Sequence, residues 1–230
     1  MSDFDLTVII PAWNERENIQ ALVPAVQEIV GGLGLRTQIV VVDGGSRDGT
    51  AEAATQLGAR AVLQQERGYG GALLAGFASA TAPYVLTMDA DLSHPPTFIA
   101  DLWAHREQAE LIIASRYVPG GKATVSPSRR VLSVILNALF RIVLRVPARD
   151  LSSGFRLYRR EALQQLHLRS RDFDVLEEIL VLVYRHGWRI LEVPFHYMPR
   201  QSGSSHAKLI RFGWAYIKTL VRMWRLREGV

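Results

Sequence analysis

The chain contains no cysteine in 230 residues, which excludes disulfide staples and thiolate metal sites and fits a reducing compartment. It also lacks an uninterrupted run of the about 20 apolar residues that a spanning helix needs. The longest approach to one, residues 131–146, carries Arg141 and Arg145, so it reads as a core helix or as one lying in a membrane interface. The opening MSDFDLTVII has no basic stretch or cleavage site before its first apolar run, so no secretory leader is expected. Zinc-ligand spacing, an aromatic RNA-binding signature and a helix-turn-helix pattern are missing, which argues against nucleic acid as a partner. A dinucleotide fingerprint begins at Gly68 and Gly70 but breaks at Leu73, where a third glycine is required.

With 48% hydrophobic residues the chain can bury one large core, and its length suits one domain with appendages. Lysine and arginine number 27 against 22 acids, a net charge of +5. The excess crowds the second half, in Arg116, Arg129, Arg130, Arg141, Arg145, Arg149, Arg156, Arg159 and Arg160, and points to an anionic partner such as a phosphate or a lipid headgroup. Apolar runs at residues 6–10, 38–42, 61–63, 84–88 and 111–114 alternate with helical stretches. That rhythm predicts an α/β fold with a mostly parallel sheet and right-handed crossovers. Asn14, with Glu17 three residues on, has the form of a capping box for a helix through about Val30, closed by Gly31 and Gly32. Asp48 is suited to cap the next helix, which ends at Gly58.

Where the run at 84–88 ends, LTMDADLSHPP brings Asp89 and Asp91 one residue apart at a strand's carboxyl end, with Pro95 and Pro96 in the first turn of the next helix. In open α/β sheets that rim is where ligands bind. Two carboxylates at this spacing are hard donors for Mg2+ or Mn2+, whose shell water and phosphate oxygens complete; the same residues also serve as turn formers or helix caps. The glycines of RGYGG let a backbone approach a ligand or turn tightly. Near the end, Ile210, Trp214, Ile217, Val221 and Trp224 recur at helical spacing, while Arg211, Lys218, Arg222 and Arg225 fall on another face. A basic amphipathic helix of this kind suits an anionic bilayer or ordinary docking onto the domain.

Eight segments in order, VIIPAWNERENI, VVDGGSRDGT, RGYGGALLAGF, MDADLSHPP, SRYVPGG, RRVLSVILN, DLSSGFRLYRR and WRILEVPFHYMPRQSGSS, resemble the family 2 glycosyltransferases. The likeness is closest to the polyprenyl-phosphate branch, which includes the dolichol-phosphate mannose synthases. It implies a GT-A-type nucleotide-sugar fold over residues 1–205, a Rossmann-like sheet with helices on both faces. Within it, 128–146 would be a membrane-facing or acceptor helix, and 206–230 a basic amphipathic helix. By the same resemblance, Pro11, Trp13, Glu15, Asp43 and Gly68 belong to the donor site, and Asp89, Ala90 and Asp91 hold the metal and diphosphate. Without it, Trp13 reads as core, Glu15 as a first-turn dipole partner and Asp43 as a turn former. Arg116, Arg130, Ser133 and Asn137 match the acceptor-phosphate region, where a guanidinium fork pairs with phosphate and stays charged.

Arg200, with Gly203 and Ser205, matches a loop that closes over the donor diphosphate. His206 stands where the family carries lysine, and Lys208 offers a replacement cation. Asp150, Ser153, Gly154, Phe155 and Arg156 match a further segment, with structural support or direct contact as its role. Two departures touch specificity: Gly44 replaces the second acid usual after Asp43, and Ser93 replaces a glutamine common in mannose synthases.

The activity implied is metal-dependent, inverting transfer of mannose or glucose from GDP-mannose or UDP-glucose to a polyprenyl phosphate, with Asp89, Asp91, Arg116 and Arg130 as the catalytic set. A phosphate acceptor is already anionic and needs no base. A hydroxyl acceptor would need one, and Glu177 or Glu178 is the candidate, Glu177 also as a sugar contact. The alternatives are transfer to a glycan or soluble acceptor, and nucleotide-sugar binding without catalysis. The expected setting is peripheral, at the cytoplasmic face of a membrane. The transmembrane pair of many relatives has no counterpart up to Val230, which leaves room for a separate membrane-anchoring protein as partner.

Overall fold

The apolar runs become strands because both of their faces are covered. In the computed structural model, which describes residues 2–124, 127–197 and 212–228, β1 (Leu6–Ala12), β2 (Thr37–Asp43), β3 (Arg60–Leu63), β4 (Tyr84–Thr87), β5 (Leu111–Ser115), β7 (Arg156–Arg159) and β8 (Ile190–Pro194) form one sheet. Its seven strands run in the order β3-β2-β1-β4-β7-β5-β8. β6 (Lys122–Ala123) and β9 (His196–Tyr197) make a short parallel ribbon. The pairs β1–β2, β1–β4, β2–β3 and β5–β8 are parallel, and β7 is antiparallel to both of its neighbours. The strand rhythm did not disclose β7, whose ends are the charged Arg156 and Arg159.

The helices are α1 (Arg16–Gly32), α2 (Thr50–Gln56), α3 (Tyr69–Ser79), α4 (Ile99–Ala104), α5 (Pro127–Leu144), α6 (Arg160–Gln164), α7 (Val175–Arg185) and α8 (Phe212–Glu228), with a 3-10 turn at Pro96–Phe98 leading into α4. Alternate residues of the strands feed two cores. Val8, Ile10 and Leu86 pack with Ile19, Leu22 and Val26 of α1 and with Ile99 of α4. On the opposite face Ile9, Val40 and Val85 pack with Leu73 of α3, Phe140 of α5, Ile179 of α7 and Met223 of α8. Strands buried on both faces read as continuous apolar runs, which is why the central ones were legible.

Two helix boundaries differ from expectation. Asn14 does not cap α1: it takes a left-handed φ of 54°, its N–H donates to Ser46 Oγ at 2.8 Å, and its Oδ1 accepts the Arg47 N–H at 2.9 Å. The start of α1 is instead satisfied across the fold, with the Arg16 N–H donating to Asp48 Oδ2 at 3.0 Å. Asp48 also accepts from the Thr50 N–H at 3.1 Å, so one side chain serves two helix starts. At the other end, α1 runs through Gly31 and Gly32, and the left-handed turn that follows it falls at Gly34, with φ 69° and the Leu35 N–H returning to the Val30 carbonyl at 3.0 Å.

α5 docks through Phe140 and Leu144, and its opposite face leaves Val131, Val134, Ile135, Leu139 and Ile142 between 44% and 68% exposed. α8 docks through Leu220, Met223 and Leu226 and leaves Val221 and Trp224 exposed. Among the described residues no helix is long and apolar enough to cross a membrane. Arg200, Gly203, Ser205, His206 and Lys208 lie outside the described residues. Arg130 lies in α5, with its side chain likewise outside the description.

Candidate functional site

Parallel strands set their carboxyl ends on one edge of the sheet, and there the turns leaving β1 to β4 line a cleft of about 870 Å³. Of the residues expected at the donor and metal, Pro11, Trp13, Glu15, Gly68, Asp89, Ala90 and Asp91 line this cleft. Trp13 is not core, being 60% exposed at the rim. A Cβ at Gly44 would lie 3.3 Å from Gln64 Oε1 and 3.4 Å from the Trp13 side chain, so this turn packs directly beside both. Asp43 is buried beside the cleft and does not line it. Both of its carboxylate oxygens accept the Ser46 N–H at 3.2 Å, and Oδ1 also accepts the Ser46 hydroxyl, which closes the turn carrying Gly44 and Gly45.

The cleft also contains residues that sequence reasoning missed: Arg47, Gln64, Arg67, Tyr69, Asp172 and Phe173. Arg47 and Arg67 make no ion pair among the described residues and bring positive charge to the cleft. Tyr69 and Arg67 flank the glycine pattern and could have been noticed there. Asp172 and Phe173 arrive through tertiary packing alone. Gly68, with φ 94°, explains how: a Cβ there would sit 2.1 Å from the Arg171 carbonyl oxygen. The backbone that the glycines admit is thus the chain's own 171–172 segment.

Asp91 is buried, and its Oδ1 accepts both the Ser93 N–H at 3.1 Å and the Ser93 hydroxyl at 2.5 Å. Ser93 therefore acts here as a clamp on Asp91. The Asp89 side chain is 33% exposed. Its Oδ1 accepts the Tyr69 hydroxyl at 3.2 Å, and its N–H donates to His94 Nδ1 at 3.0 Å. Because Nδ1 accepts, the neutral ring carries its proton on Nε2, 3.7 Å from Asp89 Oδ2 and too far for a hydrogen bond. Burial pushes the His94 imidazole down, against the pull of Asp89, so it stands behind the loop as a neutral prop stacked on Phe155 at 4.9 Å. Among the described residues no group of three or more His, Cys, Asp or Glu gathers for a metal. Asp89 and Asp91 still fit a divalent ion, as hard carboxylates lining one cleft, where phosphate and water would complete the shell.

The expected acceptor residues cluster around α5. Arg116 is largely occupied: Nε and Nη2 each donate to Asp150 at 2.7 Å, its backbone N–H donates to Asp150 at 2.9 Å, and Nη2 reaches Ser152 Oγ at 2.8 Å. Its charge also lies 5.7 Å from the Tyr197 ring, which is a neighbour of His94. Ser133 Oγ shares a hydrogen bond with the Tyr117 hydroxyl at 2.6 Å. Asn137 donates to the Ser133 carbonyl at 2.8 Å and accepts the Leu151 N–H at 2.9 Å, tying α5 to the 150–153 loop.

Glu177 is buried on α7 beside a small cavity shared with Ser133, Asn137 and Ser152, away from the donor cleft. Burial pushes its carboxyl up from 4.5 to about 7. Between those values the folded protein holds a proton that the unfolded chain releases, so stability is full below about 4.5 and is lost as pH rises through 7. The loss is on the order of 3 kcal/mol. Urea unfolding is expected to show wild-type stability falling between pH 5 and pH 8, with Glu177→Gln flattening that slope. An identical slope in the two proteins would refute the assignment. Glu178, by contrast, is engaged by the Arg169 and Ser170 N–H groups at 2.7–3.1 Å.

Known proteins resemble this chain in sequence and in fold. A dolichol-phosphate mannosyltransferase of Pyrococcus furiosus is 35% identical over 213 residues, covering 88% of this chain and 59% of its own length. This chain thus spans less than two thirds of that relative. A polyprenol monophosphomannose synthase of Mycolicibacterium smegmatis is 37% identical over 216 residues, covering 86% of this chain and 79% of its own. Among solved structures, glucosyl-3-phosphoglycerate synthase of Mycobacterium tuberculosis, crystallised with Mn2+, UDP and glucosyl-3-phosphoglycerate, aligns with a TM-score of 0.74. That alignment covers 99% of this chain and 81% of that one at 21% identity, and shows the fold to be of the GT-A type. Matched over residues 7–167 by glycosyl transferase family 2, the chain belongs to that family.

Proposed function

We propose that the protein transfers a hexose, mannose or glucose, from GDP-mannose or UDP-glucose to a polyprenyl phosphate at a membrane surface, with inversion. One observation carries the reading: a single cleft has Trp13 and Glu15 in its wall, Asp89 and Asp91 beside Ala90, and the cations Arg47 and Arg67, as a nucleotide diphosphate sugar requires. An oxygen of the acceptor phosphate attacks the anomeric carbon as the bond to the diphosphate breaks, and the electron pair leaves with the diphosphate. No base is needed, since the acceptor oxygen is already anionic. A divalent ion, Mg2+ or Mn2+, held by Asp89 and Asp91 would supply neutralising charge to the leaving group. Arg116 and Arg130 would orient the acceptor, the gain being position rather than reactivity.

The lipid half of the reading is supported by the exposed apolar stripe of α5, which a water-facing helix would not carry. Each large side chain there offers roughly 1.5–3 kcal/mol when fully buried. Replacing both Ile135 and Ile142 by glutamate is therefore expected to weaken co-sedimentation with anionic vesicles at least about tenfold while leaving the melting temperature near wild type. Undiminished sedimentation would remove this stripe from the lipid contact.

The whole reading is tested by mixing the purified protein with labelled GDP-mannose or UDP-glucose and a short-chain polyprenyl phosphate. Label is expected in the organic phase only when the lipid phosphate is present. Equally efficient transfer to a glycan or soluble hydroxyl acceptor with no lipid present would refute it in favour of the alternative.

A further inference from the structure

We propose that Tyr69 is the positioning residue for Asp89, holding that carboxylate in the orientation in which it meets the divalent ion. The inference rests on the metal proposed above. The two acids are held in different ways. Asp91 is clamped from within its own loop, by Ser93 two residues on. Asp89 has no such local clamp on its carboxylate. Its hydrogen bond comes from a distant element, the hydroxyl of Tyr69 in the first turn of α3, at 3.2 Å. His94 supports only the backbone of Asp89 within hydrogen-bond distance.

Three further features show that this contact is built into the fold. The Tyr69 ring stacks on Phe173 at 4.8 Å with planes 12° apart, which fixes where the hydroxyl points. The backbone at Tyr69 is held through its neighbours, since the Gly71 N–H donates to the Arg171 carbonyl at 3.2 Å. On the far side, a Cβ at Gly154 would lie 2.5 Å from the Tyr69 hydroxyl oxygen and 3.2 Å from Asp89 Oδ1. Gly154 is not among the residues of positive φ, so it is space, and not backbone freedom, that a side chain there would take away.

The hydroxyl is also the right chemical group. A phenol donates a hydrogen bond without carrying a charge of its own. A single donor on Oδ1 orients the carboxylate and leaves it lone pairs for a ligand. Outer partners of this kind typically change metal affinity 10–100-fold when removed.

The test is Tyr69→Phe, which keeps the ring and its stack and deletes only the hydroxyl. Mn2+ binding is measured by electron paramagnetic resonance titration in the presence of UDP and, separately, GDP, with no sugar transferred. The variant is expected to bind Mn2+ about tenfold or more weakly than wild type while melting at a similar temperature without metal. In transfer assays its deficit is expected to close as Mn2+ is raised to saturation, a rescue that general structural damage would not allow. Mn2+ affinity within twofold of wild type, or a deficit that saturating metal does not relieve, would overturn the positioning role. If the wild type itself binds no Mn2+ with either nucleotide, the metal reading falls, and this inference falls with it.

Discussion

Asp91→Ala is expected to lower kcat/KM for hexosyl transfer by at least about a thousandfold, the scale of several kcal/mol that charge stabilisation of a leaving group supplies. Asp91 is the buried member of the pair and the one fixed by two donors from Ser93, so its carboxylate is already oriented before any ligand arrives. Alanine would remove the charge and leave the Ser93 N–H and hydroxyl facing nothing in a buried site. The stability cost of that is about 1–3 kcal/mol, small beside the loss in rate. EDTA should mimic the variant in the wild type, and added Mg2+ or Mn2+ should restore the wild type but not Asp91→Ala. Transfer that survives both EDTA and the substitution would sink the assignment of a metal to this pair. Asp89→Ala should be milder, because that residue is more exposed and held by one longer hydrogen bond.

Much of the fold was legible because its signals are local. The runs that became β1, β2, β4 and β5 are apolar on both faces, and a run of that length with turn residues at its end has few other readings. Asp89 and Asp91 were legible for the same reason, as a pattern within one turn. What escaped notice depends on distant contacts. Asn14 had the spacing of a cap, yet a left-handed turn tied to Ser46 and Arg47 won over the local box, since Asp48 was already supplying the helix start. Phe173 reaches the cleft only because Gly68 lets the 171–172 backbone in. Arg116 has the chemistry of a phosphate ligand, but no local signal shows that Asp150, 34 residues away in sequence, takes most of its fork.

The same long-range contacts join the cleft to the helices at its side. Arg222 of α8 donates to Ser170 Oγ at 2.6 Å and pairs with Asp174, so α8 grips the segment that carries Phe173 from both ends. Phe173 in turn stacks on Tyr69, the partner of Asp89. A helix with exposed apolar residues, Val221 and Trp224, is thus one contact removed from the cleft wall at Phe173 and three from Asp89. Asn137 performs a comparable service for α5, tying it to the loop that holds Asp150.

Arg156→Met is expected to destabilise the protein by about 3–5 kcal/mol, through the three buried acceptors it would leave unpaired. Arg156 is wholly buried on β7, and its guanidinium donates to three carbonyl oxygens: Ser153 at 2.7 Å, Leu176 at 2.9 Å and Leu151 at 2.6 Å. Those carbonyls belong to the 151–155 loop and to α7, so one planar fork fastens the loop bearing Gly154 to the helix bearing Glu177. Methionine fills much of the volume but leaves the three acceptors unpaired in a dry interior, where hydrogen bonds to a charged group count for about 1.5–3 kcal/mol each. Removal of the buried charge offsets part of that sum, which keeps the net near the stated range. Arg156→Lys should recover little, because a single ammonium cannot span three acceptors arranged for a fork. Urea unfolding decides the matter. A loss below about 1 kcal/mol for Arg156→Met would mean that water reaches the orphaned carbonyls, and that the fork is not what holds the loop against α7.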